Sequence, residues 1–132
     1  MRTLDNSKSI LTLNKVIIDK LIFERFSDDV NKIMFDSGIT FKHKINKVAE
    51  NTFKVSFGIK ITEDMKYNID AQISGYFSVQ DQSDLGEKLL KNNTVAILFP
   101  YLRSQLTLLS SQPGFEPIIL PVMNITELMR ED

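Results

Sequence analysis

Between residues 52 and 79 apolar and polar side chains alternate almost without interruption, the pattern required by a β-sheet with one dry and one wet face. Phe53, Val55, Phe57, Ile59 and Ile61 fall on one side of the first run, and Thr52, Lys54, Ser56, Gly58, Lys60 and Thr62 on the other. Tyr67, Ile69, Ala71, Ile73, Gly75, Phe77 and Val79 repeat the arrangement against Asn68, Asp70, Gln72, Ser74, Tyr76 and Ser78. Glu63 and Asp64 separate the two runs as a short turn, so the pair predicts a hairpin. Upstream, Ile39, Phe41, His43 and Ile45 alternate with Thr40, Lys42, Lys44 and Asn46, and the Ala49-Glu50-Asn51 break predicts a second hairpin. Leu11 to Phe23 is rich in β-branched and long apolar residues and predicts a first strand, although its alternation is less clean. Residues 24 to 38 then form a connection too long for a hairpin. They carry Phe26, Val30, Ile33, Met34 and Phe35, an apolar load that an ordinary loop does not have.

After Gln80 the period changes. Asp84, with Glu87 three residues later, has the form of an N-cap and its reciprocal partner, opening a short helix through Leu85, Leu89 and Leu90. Asn93 is placed to cap a second, longer helix from Thr94 to about Ser111, where Val95, Leu98, Leu102, Leu106 and Leu109 fall on one stripe. Ile97, Tyr101 and Leu108 make a further stripe, so more than one face of this helix is apolar. Pro100 removes the N–H that would bond the Ala96 carbonyl and predicts a kink, and Pro113-Gly114 ends the helix. Phe115 to Val122 reads as extended and apolar, and Asn124 to Arg130 as one or two terminal helical turns.

The 132 residues suit one domain, 1–132, in which the polar residues 1–8 are expected to be disordered. Apolar residues at 42% and charged residues at 25% exclude a disordered or fibrous chain. The net charge of −1 gives no pervasive positive field, so nucleic acid is not the expected partner. The charge is nonetheless uneven, with 12 basic and 9 acidic side chains in residues 1–66 against 4 and 8 in residues 67–132. The absence of cysteine removes disulfides, thiol nucleophiles and thiolate metal sites, and fits a reducing, cytoplasmic setting. No apolar stretch approaches the roughly 18 residues needed to span a bilayer, so no membrane insertion is expected.

Catalytic chemistry is sparse. The lone His43 lacks the partners of a metal site and reads as a strand histidine facing half-buried surface. The five glycines form neither a phosphate-cradling loop nor a dinucleotide turn, and no G-x-S-x-G elbow activates a serine. The neighbouring pairs Asp28-Asp29 and Glu63-Asp64 read as solvated charges. No enzyme, cofactor or metal is expected. What is in surplus is apolar surface: the 24–38 connection, the second face of the long helix and Phe115 to Val122. Such surface marks binding to a partner or assembly, because leaving it in water costs about 25 cal/mol per Å².

At the long helix the sequence acquires a specific pattern. Ile97-Leu98-Phe99-Pro100-Tyr101, followed by Arg103, resembles the signature that opens the main helix of SecB, the tetrameric protein-export chaperone family. Ile73 to Val79 (ISGYFSV) is similar to the family's G-x-F-S run, Leu120-Pro121-Val122 with Asn124 to its A-P-V-N segment, and Leu13 to Glu24 to its first strand. The resemblance runs from about residue 13 to 128. It implies an α+β fold in which a four-stranded antiparallel sheet carries a long kinked helix and a short C-terminal helix on one face.

By the same resemblance the protein is an ATP-independent holding chaperone that binds unfolded polypeptides in apolar grooves and delivers preproteins to the SecA translocation motor. A SecB-like chaperone dedicated to one client, such as an antitoxin, is an alternative, and a small-ligand-binding domain on the same fold is another. The family's grooves map onto Val30, Ile33, Met34, Phe35, Ile39 and Phe41, with Phe115, Leu120 and Met123 opposite. Its acidic motor-docking patch maps onto Glu24 and Asp70, while Lys20 stands where the family carries an acid. Assembly into a homotetramer, a dimer of dimers, uses the first strand and the long helix, with Tyr101, Gln105 and Leu108 as its contact stripe. Large adaptable side chains such as Met and Phe suit a groove that must accept many sequences.

Overall fold

The computed structural model describes residues 10–34, 38–80 and 84–121. Strands β1 (Leu11–Arg25), β2 (Ile39–Ala49), β3 (Thr52–Glu63) and β4 (Tyr67–Val79) precede a helix, α1 (Asp84–Ser110). All strands join one antiparallel sheet in the order β1-β4-β3-β2, with α1 packed on one face. The proposed terminal helix after Asn124 and the expectation for residues 1–8 lie outside the described residues.

The hairpins of β2, β3 and β4 follow from the alternation, which faces Val55, Phe57, Ile59 and Ile61 inward beside Ile69, Ala71, Ile73 and Phe77, each at most 1% exposed. Both turns need a left-handed residue, supplied by Asn51 at φ 64° and Met65 at φ 68°. β3 continues through Glu63, so the turn sits one residue later than the Glu63-Asp64 pair suggests.

β1 explains its own irregular pattern. Its register against β4 skips Asn14 and Asp19, two bulges that shift the inward positions to Leu11, Leu13, Val16, Ile18, Leu21 and Phe23. The two extra residues bond to β4 instead: Asn14 Nδ2 donates to Ser78 Oγ at 2.7 Å, and Ser74 Oγ donates to the Asp19 carboxylate.

The two helices expected after Gln80 are one. Gly86, Leu90, Thr94, Leu98, Leu102, Leu106 and Ser110 form an unbroken buried row at four-residue spacing, and Asn93 is exposed inside the helix rather than at a cap. Thr94 and Ser110 enter this row because their hydroxyls bond to the Leu90 and Leu106 carbonyls, at 2.6 and 2.8 Å, and so present no unpaired polar group to the core. Pro100 lies inside the helix without ending it. Close seating on the sheet depends on Gly75, where a Cβ would stand 2.8 Å from Leu98 Cδ2 and 2.9 Å from Phe77 Cε1.

Candidate functional site: the open edge of the inner face

Strand order dictates what the long connection must do. β1 and β2 occupy opposite edges, three strand spacings or about 14 Å apart, so the chain after Arg25 has to cross the sheet. Two of its apolar residues are consumed in that crossing, Val30 at 9% and Ile33 at 7% exposed, while Phe26 and Met34 stay exposed. The segment after α1 folds back beside it, with Phe115 6%, Ile118 2% and Leu120 2% exposed.

Specific contacts tie these two segments to the sheet. Arg25 Nη1 donates to the carbonyls of Val30 (3.3 Å) and Gly114 (3.0 Å), and the Glu116 N–H donates to the Asn31 carbonyl at 2.6 Å. The Phe115 ring meets Phe23 edge to face at 4.8 Å. Ser110 Oγ accepts the Ile118 N–H at 2.7 Å, and Thr107 Oγ1 donates to the Ile118 carbonyl at 2.6 Å. Tyr67 Oη accepts the Met34 N–H at 3.1 Å and donates to Glu63 Oε1 at 3.3 Å. Burial pushes the Tyr67 phenol up, which keeps that donor proton in place, while the Lys66 ammonium bonded to Glu63 at 2.9 Å holds its carboxyl below the usual range.

The nine groove residues expected from the resemblance therefore divide. Val30, Ile33, Phe115 and Leu120 are sealed in the core of the single chain. Met34, 48% exposed, stands on the rim, and Ile39 and Phe41 are half-buried on the inner face of β2. Phe35 and Met123 lie outside the described residues. α1 packs on β4, β1 and β3, which leaves the inner face of β2 beyond its main contacts. There Phe41 stacks on Phe57, ring centroids 6.0 Å apart and nearly parallel, with Ile39, His43 and Ile45 alongside. Clefts of about 300 Å³ at Val30, Met34 and Tyr67 and about 500 Å³ at Asn31, Gly114 and Phe115 flank the crossing segment.

Among the described residues no strand pairs with the outer edge of β2. The Thr62 N–H bonds to the Gly38 carbonyl, and antiparallel bonding alternates along the ladder, so Ile39, Phe41, His43 and Ile45 turn their N–H and C=O groups to the free edge. Three apolar side chains, Ile39, Phe41 and Ile45, and His43 thus lie on residues whose backbone groups face the free edge. Sequence reasoning passed over Arg25 and Tyr67, for which no signal was available, and noted Phe26, 57% exposed here, in the apolar connection without placing it in the groove.

The other expected surfaces are mixed. Asp70 is only 7% exposed, pairs with Lys20 Nζ at 3.5 Å and accepts from Gln72 Nε2 at 3.2 Å. Glu24 is exposed and accepts from Asn68 Nδ2 at 2.9 Å. On α1, Leu102 and Leu106 are fully buried against the sheet, whereas Ile97 (36%), Tyr101 (46%) and Leu108 (64%) point outward beside the half-buried Gln105. Ile18 and Leu21 are likewise exposed on edge strand β1. Among the described residues no cluster of three metal-ligating side chains occurs, and no helix is long and apolar enough to cross a membrane.

Comparison with known proteins gives this geometry a family. In fold, the chain is similar to the Mycobacterium tuberculosis SecB-like chaperone Rv1957, solved in complex with a ChAD peptide from the HigA1 antitoxin: TM-score 0.67, 13% identity, covering 86% of this chain and 87% of that one. A protein of unknown function from Streptococcus agalactiae matches at TM-score 0.48 and 11% identity, over 85% of this chain and 97% of that one. In sequence, an uncharacterized protein of Methanocaldococcus jannaschii is 27% identical over 118 residues, 83% of this chain and 75% of the relative. SecB-like proteins are chaperones and not enzymes, and a chaperone role extends to this chain. The family described as preprotein translocase subunit SecB matches residues 8–132, and with the four-stranded sheet and its single long helix already in place, the chain belongs to the SecB family.

Proposed function

We propose that the chain holds unfolded polypeptide, without ATP, along the inner face and free edge of β2. Met34, Ile39 and Phe41 make the apolar contacts, Phe35 and Met123 are further client residues by the sequence resemblance alone, and the sealed Val30, Ile33, Phe115 and Leu120 form the floor that keeps the strip in shape. The observation that carries this reading is the half-open β2 face lying beside unused backbone N–H and C=O groups. An extended client can satisfy those groups as an added strand while dropping alternate side chains beside Phe41. Backbone bonding is indifferent to sequence, which suits a chaperone of varied clients, and several weak contacts along one chain raise the overall affinity.

The first reading is delivery of preproteins for export in the cytoplasm, in keeping with a family described as preprotein translocase subunit SecB, with SecA docking at Glu24 and Asp70 as the sequence resemblance implies. A dedicated client such as an antitoxin is the second reading. It is favoured by the pairing of Asp70 with Lys20, which leaves Glu24 as the one unpaired carboxylate of the two for a motor, and by the antitoxin peptide bound to the Mycobacterium tuberculosis chaperone. Assembly as a homotetramer is supported by the outward stripe of Tyr101 and Leu108 beside Gln105 and by exposed Ile18 and Leu21 on β1.

Suppression of aggregation of a chemically unfolded model protein, measured by light scattering with and without ATP, tests the holding activity. Protection independent of ATP is expected, and none at a several-fold molar excess would refute it. Titration with purified SecA separates the two readings: tight binding lost in Asp70→Lys supports export, and no binding supports the dedicated client.

A further inference from the structure

The outer face of the sheet, opposite α1, carries a charge pattern that the holding function does not use. On β2 and β3 this face presents Lys42, Lys44, Lys54 and Lys60, and no carboxylate comes from either strand. Among the described residues the only ion pairs are Lys20–Asp70 and Lys66–Glu63, so these four lysines have no carboxylate partner there. Asp70 lies across from Lys60 on β4, but it is 7% exposed and already held by Lys20 and Gln72. Lys54 stands over the Tyr76 ring at 5.9 Å.

At the centre of the lysines is a residue with no side chain. Gly58 pairs directly with Lys42 on one side and Gln72 on the other, and its neighbours on the same face of β3 are Ser56 and Lys60. A hollow of about 590 Å³ is lined from this face by Lys42, Lys44, Ser56, Gly58 and Gln72 and from the inner face by Phe41, His43 and Phe57, and Gln72 Cγ covers Gly58, 2.8 Å from where a Cβ would stand. Same-face neighbours on a strand lie about 7 Å apart and adjacent strands about 4.8 Å apart. A carboxylate approaching this face is therefore within side-chain reach of several ammonium groups, while Gln72 is already bonded to Asp70 and Ser56 to Ser74.

We infer that the outer face of the β2–β3 hairpin is a docking surface for an acidic segment of a partner protein, whose carboxylates meet the ammonium groups of Lys42, Lys44, Lys54 and Lys60. The polarity is the reverse of the acidic patch that the family resemblance implies. A protein segment fits better than nucleic acid: the patch holds no arginine fork, its one aromatic ring, Tyr76, is already covered by Lys15 and Lys54, and the whole chain is slightly acidic.

Fluorescence anisotropy of the full chain with a labelled ten-residue oligoglutamate, in about 50 mM and about 300 mM salt, tests this. Binding at low salt that falls at high salt is expected. Lys42→Glu with Lys44→Glu should weaken it about tenfold or more, while the control Lys88→Glu with Lys91→Glu on α1 leaves it unchanged. Lys60→Glu, on β3 and away from the client edge, should also weaken oligoglutamate binding while its aggregation suppression matches the parent, which separates this surface from the β2 inner face. If charge reversal impairs folding, Lys42→Gln with Lys44→Gln must show the same loss in weaker form. No oligoglutamate binding at low salt, equal binding by the Lys42/Lys44 and Lys88/Lys91 variants, or tighter binding of a ten-nucleotide oligothymidine would overturn the proposal.

Discussion

Replacing Phe41 with alanine separates client contact from fold stability. The ring is half-buried, stacked on Phe57 and otherwise open along the β2 face. Fully buried Phe→Ala changes cost about 3–5 kcal/mol, so a half-buried ring implies about 1.5–2.5 kcal/mol of lost stability. A client covering the remaining 60–80 Å² or so of the ring gains about 1.5–2 kcal/mol at 25 cal/mol per Å², a factor of about 10–30 in binding. The companion change Ile33→Ala removes a side chain only 7% exposed. It should cost about 2–5 kcal/mol of stability and leave client affinity nearly intact wherever the variant is still folded. Thermal denaturation by circular dichroism gives the first quantity, and titration of a labelled, permanently unfolded protein gives the second. If Phe41→Ala binds the client as tightly as the parent, or folded Ile33→Ala loses as much affinity as Phe41→Ala, the division into open strip and sealed floor is wrong.

Gly75→Ala should lower stability by about 1–3 kcal/mol in denaturant melts, because its Cβ would press on Leu98 and Phe77 and lift α1 from the sheet. Ser110→Ala leaves the buried Ile118 N–H without an acceptor and should cost about 1–3 kcal/mol, with faster amide exchange at Ile118. Tyr67→Phe frees the Met34 N–H and should loosen the crossing segment, read as increased proteolysis between residues 26 and 38. The same residue predicts a pH effect. Since burial raises its phenol, stability should fall as the pH climbs past 10.0, where the unfolded chain releases a proton that the folded chain still holds; Tyr67→Phe should reduce that slope.

The sheet was legible where side chains alternate in phase. β4 runs from Tyr67 to Val79, the limits its pattern predicts, because every second residue is apolar and no bulge intervenes. β1 was blurred by the bulges at Asn14 and Asp19, which change the inward phase twice within fifteen residues. The split of α1 arose from reading Asn93 as an N-cap, although the helix runs through it and the next residue, Thr94, is buried with its hydroxyl on the Leu90 carbonyl. For the site, the apolar surplus was visible in the sequence, but which of its members face solvent depends on strand order. Only once β1 and β2 stand at opposite edges does the crossing segment have to bury Val30 and Ile33. The neutralised Asp70 was hidden for the same reason: its contact with Lys20 depends on the β1–β4 register beyond a bulge.

Amide hydrogen exchange with and without a permanently unfolded client reads the holding surface residue by residue. The N–H groups of Ile39, Phe41, His43 and Ile45, which face the free edge, should exchange fast in the free protein and slow markedly when client is bound, with smaller slowing in residues 26–34. Unchanged exchange at those four amides under saturating client would contradict the β2 edge as the holding surface.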